Sequence, residues 1–437
     1  MSTPRHPTTR QAYLAFDIGK NLHWLGAYGG PGLQPLTPPQ AVRANQAGFE
    51  TAAAILTGLL TSGCFDRVIM GHEPTGVYHE AWARALFARF AEYLNGQAQP
   101  QLTYLFVNPY QTKQARQCRL GRNRKTDALD LPAIAQCLAE GAGAPAYLPD
   151  AETLPFAQWA AVWRQATRDQ RRLTIRLLSE LDQLWPGALV DVARFRNAHP
   201  DLEPPIPLVL SKPLERALIQ ALLQHCPNPH RIRAMSETEL VDFLREHCGR
   251  GGPVNARRVL AWAQQALLPP PDITAILARR VQADFAQYQA LAARLETLKA
   301  DAEHLALNSP ASVLTTVPGI SPFLAARYLA GVGHAQRFAS AAQVWAFAGF
   351  DPLSDDSGDA RRAGQISGRG DPAFRDTLYL IGLHTSRNCP PIARAKQRAQ
   401  RRGMGKVGAV IHAAHKANRL CWRLLYDQTT YDPACHR

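Results

Sequence analysis

Tyr13-Leu14-Ala15-Phe16-Asp17-Ile18-Gly19 is a short apolar run that stops on a carboxylate and a glycine. A run this short, closed by turn residues, reads as a buried strand rather than a helix. Working outward, His23 to Tyr28 reads as a second strand running up to a turn at Gly29-Gly30. Arg67-Val68-Ile69-Met70 is a third, and Leu102 to Val107 a further one ending at Asn108-Pro109. Helical patterns lie between and after them, at Gly48 to Leu60, Tyr78 to Tyr93 and Thr126 to Glu140. Strands alternating with helices predict a mixed, helix-covered sheet, an α/β domain over residues 1–150.

Beyond it the pattern becomes all-α. Leu173, Leu177, Leu181 and Leu184 form one helical stripe ending at Trp185-Pro186-Gly187. Val281, Phe285, Tyr288, Leu291, Leu295, Leu298, Ala302 and Leu305 recur every three or four residues. Such spacing is a seam for another helix, either a neighbour in the chain or a second subunit, and because it needs burial the middle helices are expected to pair subunits rather than contact bases. Between these stripes, residues 188–270 are helical, punctuated by proline and without a catalytic pattern, which reads as a structural insert. Residues 151–311 are thus expected to be a helical, coiled-coil-like middle, and 312–437 a mostly helical C-terminal domain. There, Val317-Pro318-Gly319-Ile320-Ser321 precedes a helix at Pro322 to Leu329, closed by Gly331-Val332-Gly333. This resembles a helix-hairpin-helix unit, whose glycine-rich hairpin aims backbone N–H groups at a phosphate; a plain helix turn is the alternative.

Of 437 residues, 46% are hydrophobic and 19% charged, so the chain can bury a core and is not globally disordered. Lys+Arg total 49 against 35 Asp+Glu, a net charge of +14, which points to a polyanion partner. A membrane partner is disfavoured, because there is no run of about 18 apolar residues. The first residues, Met1 to Gln11, lack the apolar segment of a signal peptide, so a cytoplasmic location is expected. Eight cysteines without a CxxC pair make no disulfide framework, and His225-Cys226 and His247-Cys248 lack finger spacing. The charge is concentrated in two places. Lys113, Arg116, Arg119, Arg122, Arg124 and Lys125 precede the first acid at Asp127, and Arg387 to Arg423 holds no acid at all. The second stretch includes Arg398, Arg401, Arg402 and Lys406.

Four acids stand where chemistry could use them. Asp17 ends the first strand, and Glu73 follows the third in Gly71-His72-Glu73-Pro74-Thr75-Gly76. Asp127 and Asp130 are spaced i, i+3 and so share a helix face. Four converging carboxylates repel one another unless cations lie between them, and paired Mg²⁺ ions suit such hard oxygen ligands. Taken singly, a strand-end Asp is often a turn residue and a helix-start Asp often a cap. In the C-terminal section, Gly349-Phe350-Asp351-Pro352 leads to Ser357-Gly358, then Arg361, Arg362 and Ser367-Gly368-Arg369-Gly370-Asp371. A serine among arginines could be a nucleophile with phosphate clamps, although Ser-Gly is also ordinary turn chemistry.

Together these motifs resemble the DEDD transposases of the insertion-sequence IS110 family, which also contains the Piv-type DNA invertases. The N-terminal resemblance lies in Phe16-Asp17-Ile18-Gly19-Lys20, Glu73-Pro74-Thr75-Gly76-Val77-Tyr78, Asn108-Pro109 and Lys125-Thr126-Asp127-Ala128-Leu129-Asp130. The C-terminal one lies in Val317-Pro318-Gly319-Ile320, Arg337-Phe338, Ala348-Gly349-Phe350-Asp351-Pro352, Ser357-Gly358 and Gly368-Arg369-Gly370-Asp371. The resemblance implies a RuvC-like, RNase H-type N-terminal domain whose tetrad falls on Asp17, Glu73, Asp127 and Asp130 and holds Mg²⁺. It implies a nucleophilic serine, carried onto Ser357, with Ser354 next and Ser367 third. Arg361, Arg362 and Arg369 become candidate charge stabilisers, and the two basic stretches a path for nucleic acid. Family members are similar in excising and inserting their own element in DNA, guided by a bridge RNA that pairs with donor and target. They work as dimers and tetramers in the bacterial cytoplasm, at the nucleoid, with the acidic site of one protomer meeting the serine of another. Three other readings compete: a RuvC-like structure-selective nuclease, a sugar-kinase-like ATPase opened by Asp17-Ile18-Gly19, and a non-enzymatic nucleic-acid scaffold.

Overall fold

A computed structural model of the chain describes residues 10–74, 76–119, 127–203, 212–249, 252–351, 366, 368 and 370–434. They form two compact units, Met1–Leu148 and Pro149–Arg437. The first is built on the apolar run that opens the chain. β1 (Gln11–Ile18) pairs antiparallel with β2 (Leu22–Gly29), which also carries the short β3 (Gln34–Pro35) and β4 (Gln40–Arg43). After helix α1 (Gln46–Thr61), β5 (Arg67–His72) returns parallel to the other side of β1, in register from Gln11↔Arg67 to Phe16↔His72. Helices α2 (Tyr78–Arg89) and α3 (Ala91–Leu94) lead to β6 (Gln101–Phe106), parallel to β5. Helices α4 (Pro109–Gln114) and α5 (Asp127–Ala139) precede β7 (Ala144–Pro145), which closes the order β3-β2-β1-β5-β6-β7.

Alternation along the strands splits the core in two. Leu14, Phe16, Val68 and Met70 pack beneath the sheet against Phe49 and Leu56 of α1 and Trp82 and Leu86 of α2. Tyr13, Ala15 and Ile69 face Leu131, Ile134 and Leu138 of α5 on the other side. β1 is therefore covered on both faces, which is why it reads as an unbroken apolar run. Gly71 has a packing reason on the α5 side: a Cβ there would lie 2.6 Å from Leu138 Cδ2 and 2.7 Å from the Leu105 carbonyl oxygen.

The second unit hangs on two long helices, α6 (Leu154–Leu184) and, after α7 (Val192–Ala198), α8 (Ala217–His225), α9 (Pro229–Ala234), α10 (Glu237–Cys248) and α11 (Pro253–Gln265), the 37-residue α12 (Pro271–Leu307). They run antiparallel. Trp159 Nε1 donates to the Leu298 carbonyl at 2.7 Å, Arg176 pairs with Asp284 at 2.6 Å, and Arg280 with Glu180 at 2.7 Å. Leu173, Leu177, Leu181 and Leu184 share a core with Val281 and Phe285. The seam along α12, expected from the sequence to pair subunits, thus meets α6 of its own chain. The insert packs against the same core. Trp185 donates to the Pro227 carbonyl at 2.8 Å and Trp262 to that of Pro186 at 2.9 Å.

At the other end of the pair, Phe156, Trp159, Ala302 and Ala306 join the core of α13 (Pro322–Val332), α14 (Ala341–Phe347), α15 (Pro372–Asn388), α16 (Pro390–Arg401) and α17 (Lys406–Asp427). The element before α13 is a 3₁₀ turn, Pro310–Thr316, and Gly319 between them has φ +98°. A Cβ at Gly319 would lie 2.8 Å from the His384 carbonyl oxygen of α15, so both the backbone conformation and helix packing require the glycine. A mixed sheet followed by a mostly helical unit is the α/β-plus-helical layout expected from the sequence. Among the described residues no helix is long and apolar enough to cross a membrane.

The α6–α12 seam is testable. Leu177 is fully buried and Ile175, two residues away, is 61% exposed. Leu177→Ala is expected to cost about 2–5 kcal/mol and Ile175→Ala less than about 0.5 kcal/mol, read by chemical denaturation. Equal effects at both positions would mean that the helix face is wrongly assigned.

Candidate functional site

The β1–β5 register ends at Phe16↔His72, so Asp17 and Glu73 are the next residues along two parallel neighbours. Adjacent strands lie about 4.8 Å apart, and in α/β sheets the carboxyl ends of strands are where ligands bind. Asp17 follows Tyr13 and Ala15 by twos, and Glu73 follows Ile69 and Gly71. Alternation therefore directs both toward the face covered by α5. Both side chains are half-buried.

The chain reaches α5 through the first basic stretch. Asn108 caps α4, its Oδ1 accepting from the Tyr110 amide at 2.9 Å, and Pro109 occupies the first helical position. A π-helical turn, Ala115–Arg119, follows. Such turns recur at functional sites. Lys113 is exposed, whereas Arg116 turns inward and its guanidinium bonds to the carboxylate of Asp130, which is 5% exposed. Burial requires that partner, since an isolated ionised carboxylate is costly away from water. Asp127 opens α5, and Leu120 to Thr126, with Arg122, Arg124 and Lys125, lie outside the described residues. Asp17, Glu73 and α5 with Asp130 thus share one side of the sheet. Among the described residues no three His, Cys, Asp or Glu stand close enough to share a metal ion.

Under the sheet lies a feature that sequence reasoning missed. His72 is buried and makes two hydrogen bonds, Nδ1 with the Glu73 carbonyl at 2.9 Å and Nε2 with the Tyr104 hydroxyl at 2.7 Å. A carbonyl only accepts, so Nδ1 carries the proton and Nε2 accepts from Tyr104. Burial lowers the His72 pKa to about 4, which keeps the ring neutral in this role. The backbone at Glu73 is thereby tied to β6 from below. The only sequence signal was a histidine on the buried side of the alternation.

In the second unit two of the quoted motifs meet. The Gly368 amide donates to the Gly349 carbonyl at 3.0 Å, and Arg375 Nη1 to that of Ala348 at 3.0 Å. Asp371 caps α15 through the Ala373 amide at 2.8 Å. Gly370 packs so closely that a Cβ would lie 2.2 Å from the Phe347 carbonyl oxygen. The chain therefore leaves after Asp351 and returns by Gly370 at one point. Ser357, Ser354, Ser367, Arg361, Arg362 and Arg369 fall between these residues and outside the described ones. Farther on, Arg398 and Arg401 on α16, Arg402 just after it and Lys406 at the start of α17 are all exposed.

The histidine tie sets a pH dependence. The folded value near 4 lies below the ~6.5 of an unfolded histidine, so as pH falls the unfolded chain takes the proton first. Its contribution is full above about pH 6.5 and is lost as pH falls toward 4. Melting temperature is expected to drop across that window, and to drop less steeply in His72→Asn. An unchanged slope in the variant would refute the assignment.

Comparison with known proteins adds the family. Residues 311–398 match the model of the Transposase IS116/IS110/IS902 family, and residues 14–186 a transposase model of the IS110 DEDD type. A "Probable family 20 transposase" of Pseudomonas aeruginosa is 30% identical over 221 residues, 47% of this chain and 64% of that protein. The "Insertion element IS110 uncharacterized 43.6 kDa protein" of Streptomyces coelicolor is 24% identical over 250 residues, 55% of this chain and 59% of that protein. The chain thus spans roughly three-fifths of the length of these curated relatives. Among solved structures, Thermus thermophilus RuvC is similar at 17% identity, over 31% of this chain and 99% of that one, with a TM-score of 0.23. The same protein in complex with a Holliday junction substrate gives 0.24. With DEDD-type and IS116/IS110/IS902 signatures at its two ends, in that order, the chain belongs to the IS110 family of DEDD transposases.

Proposed function

We propose that the chain is a DNA transposase that excises and inserts its own insertion sequence by strand cleavage and exchange through a phosphoserine intermediate. The observation that carries this reading is the pair of family matches at both ends of one chain, the first covering Asp17 and Glu73 on neighbouring strand ends.

Hard carboxylate oxygens on adjacent strands fit a divalent cation such as Mg²⁺. Asp17, Glu73, Asp127 and Asp130 would hold it, and when bound it would polarise the scissile phosphate and offset its charge. The neutral His72 holds the Glu73 backbone in place. Arg116 neutralises Asp130 and would have to yield or share that carboxylate with a bound cation. The Ser357 hydroxyl attacks phosphorus in line. Its proton leaves to a nearby base, a serine–phosphate ester forms, and the P–O bond to the departing DNA oxygen breaks. That oxygen takes up a proton. A hydroxyl of the partner strand then attacks the ester, remaking a DNA phosphodiester and freeing the serine. The number of phosphodiester bonds is conserved, so no nucleotide hydrolysis is required. Arg361, Arg362 and Arg369 stabilise the developing charge. A bridge-type guide RNA selects donor and target. Lys113, Arg119, Arg122, Arg124, Lys125, Arg398, Arg401, Arg402 and Lys406 follow the phosphates of these strands. Assembly as a dimer or tetramer lets the acids of one protomer meet the serine of another.

The test is a denaturing gel of the full chain with Mg²⁺, guide RNA from the element's non-coding end, and labelled donor DNA. A covalent protein–DNA adduct is expected, absent in Ser357→Ala, and reduced roughly 100-fold or more in Asp17→Asn. An adduct that persists in Ser357→Ala moves the nucleophile elsewhere. Cleavage with no adduct in the unmodified protein would instead make the chain a hydrolytic nuclease.

A further inference from the structure

Helices α14, α16 and α17 enclose a cavity of about 910 Å³ in the second unit, large for a phosphate group alone and of the size of a small-molecule site. Its walls and rim carry a one-sided set of charges. Lys416 and His415 are half-buried, while Arg398, Arg419 and Arg423 stand exposed at the mouth. No acid lines it. Arg423 reaches back to Asp427 on its own helix, which leaves Lys416, Arg398 and Arg419 without a carboxylate partner among the residues lining the cavity. Lys416 Nζ donates to the Pro391 carbonyl at 3.2 Å, which holds the ammonium in place without neutralising it. Burial, Arg398 and Arg394 together lower its pKa, as expected where like charges converge.

The same cavity offers flat rings. Trp422 is fixed by its Nε1–H to the Ala335 carbonyl at 3.2 Å, and Tyr431 is tied by its amide to Thr316 at 2.8 Å. Both line the cavity. Converging cations beside fixed aromatic rings are the two components with which proteins hold unstacked nucleotides, phosphate on one and base on the other. A duplex keeps its bases stacked inside and its phosphates on a convex surface, so it would engage the exposed rim but not the walls.

We propose that this cavity receives an unstacked nucleotide of a single-stranded nucleic-acid segment, with phosphate on Lys416, Arg398 and Arg419 and the base against Trp422 and Tyr431. The inference deepens the transposase reading and rests on it, since it names a strand geometry that strand exchange or RNA guidance must expose.

The experiment uses the full chain and three labelled probes, oligo-dT, oligo-U and a duplex of mixed sequence, by fluorescence anisotropy over a salt series. In Lys416→Gln/Arg419→Gln, single-strand affinity is expected to fall about tenfold or more, with the salt slope smaller by about two. Duplex affinity is expected to change less than about threefold, because its contacts are spread over many exposed cations. The charge-matched Arg279→Gln/Arg294→Gln, on α12, controls for net charge and is expected to move neither. Photo-crosslinking of a halogenated pyrimidine strand should mark the peptide holding Trp422 or Tyr431. The dT and U arms assign the source, DNA strand or guide RNA. Equal losses on duplex and single strand, or crosslinks only outside the cavity, overturn the proposal. If the chain forms its covalent DNA adduct while the double variant binds single strands normally, the cavity assignment alone fails. If the unmodified chain binds no nucleic acid, the transposase reading fails with it.

Discussion

β1 is hydrogen-bonded on both edges and covered on both faces, and the site is built on that constraint. Its antiparallel pairing to β2 and parallel pairing to β5 leave no room for a shift in register. A slip of one residue would turn Leu14 and Phe16 out of one core and Tyr13 and Ala15 out of the other. The step after Phe16↔His72 is therefore specified by packing, and that step sets Asp17 beside Glu73. Two carboxylates at neighbouring strand ends are costly to bring together. What makes the arrangement affordable is the large apolar burial behind it and the tie from His72 to the Glu73 backbone.

A second consequence concerns Asp130. Leu131, Ile134 and Leu138 commit α5 to the sheet, and Asp130 is carried under cover with them. Removing one member of a buried ion pair typically costs several kcal/mol, because the other charge is left unsolvated. Arg116 is therefore bound to the fold as well as to charge. Among the basic residues ahead of α5, Lys113 faces solvent while Arg116 faces a carboxylate. One run of like charges in sequence thus divides into an outward role and an inward one, and only the fold separates them.

Particular residues show what the sequence could reveal. The strand at Tyr13–Phe16 was legible because it is buried on both sides, and the helical stripes on α6 and α12 because burial repeats with the helix period. The stripes did not say what they meet. A period identifies a face, while the choice between another helix of the chain and a second subunit depends on contacts more than a hundred residues apart, such as Trp159 to Leu298. Gly319 and Gly370 were legible as glycines of a motif. Their reason, backbone approaching His384 and Phe347, is tertiary. His72 was illegible, because nothing local distinguishes a histidine that fills space from one that fixes a neighbouring carbonyl.

The glycines of the second unit carry the last step. Gly370 sits where no side chain fits, against Phe347, and the Gly368 amide closes on the Gly349 carbonyl. Asp371 then caps α15, and Arg375 in its first turn reaches the Ala348 carbonyl. These contacts bring the two ends of the serine-bearing segment together on a helical core. Any group that is to attack in line needs rigid placement, since small errors in placement cost orders of magnitude in rate. The Gly368–Gly349 hydrogen bond and the close approach of Gly370 to Phe347 are made by backbone, whereas Asp371 and Arg375 anchor through their side chains. The motif residues read in sequence as a possible phosphate clamp are in this sense divided. Gly368, Gly370 and Asp371 build the neck, and the serine and arginines fall outside the described residues.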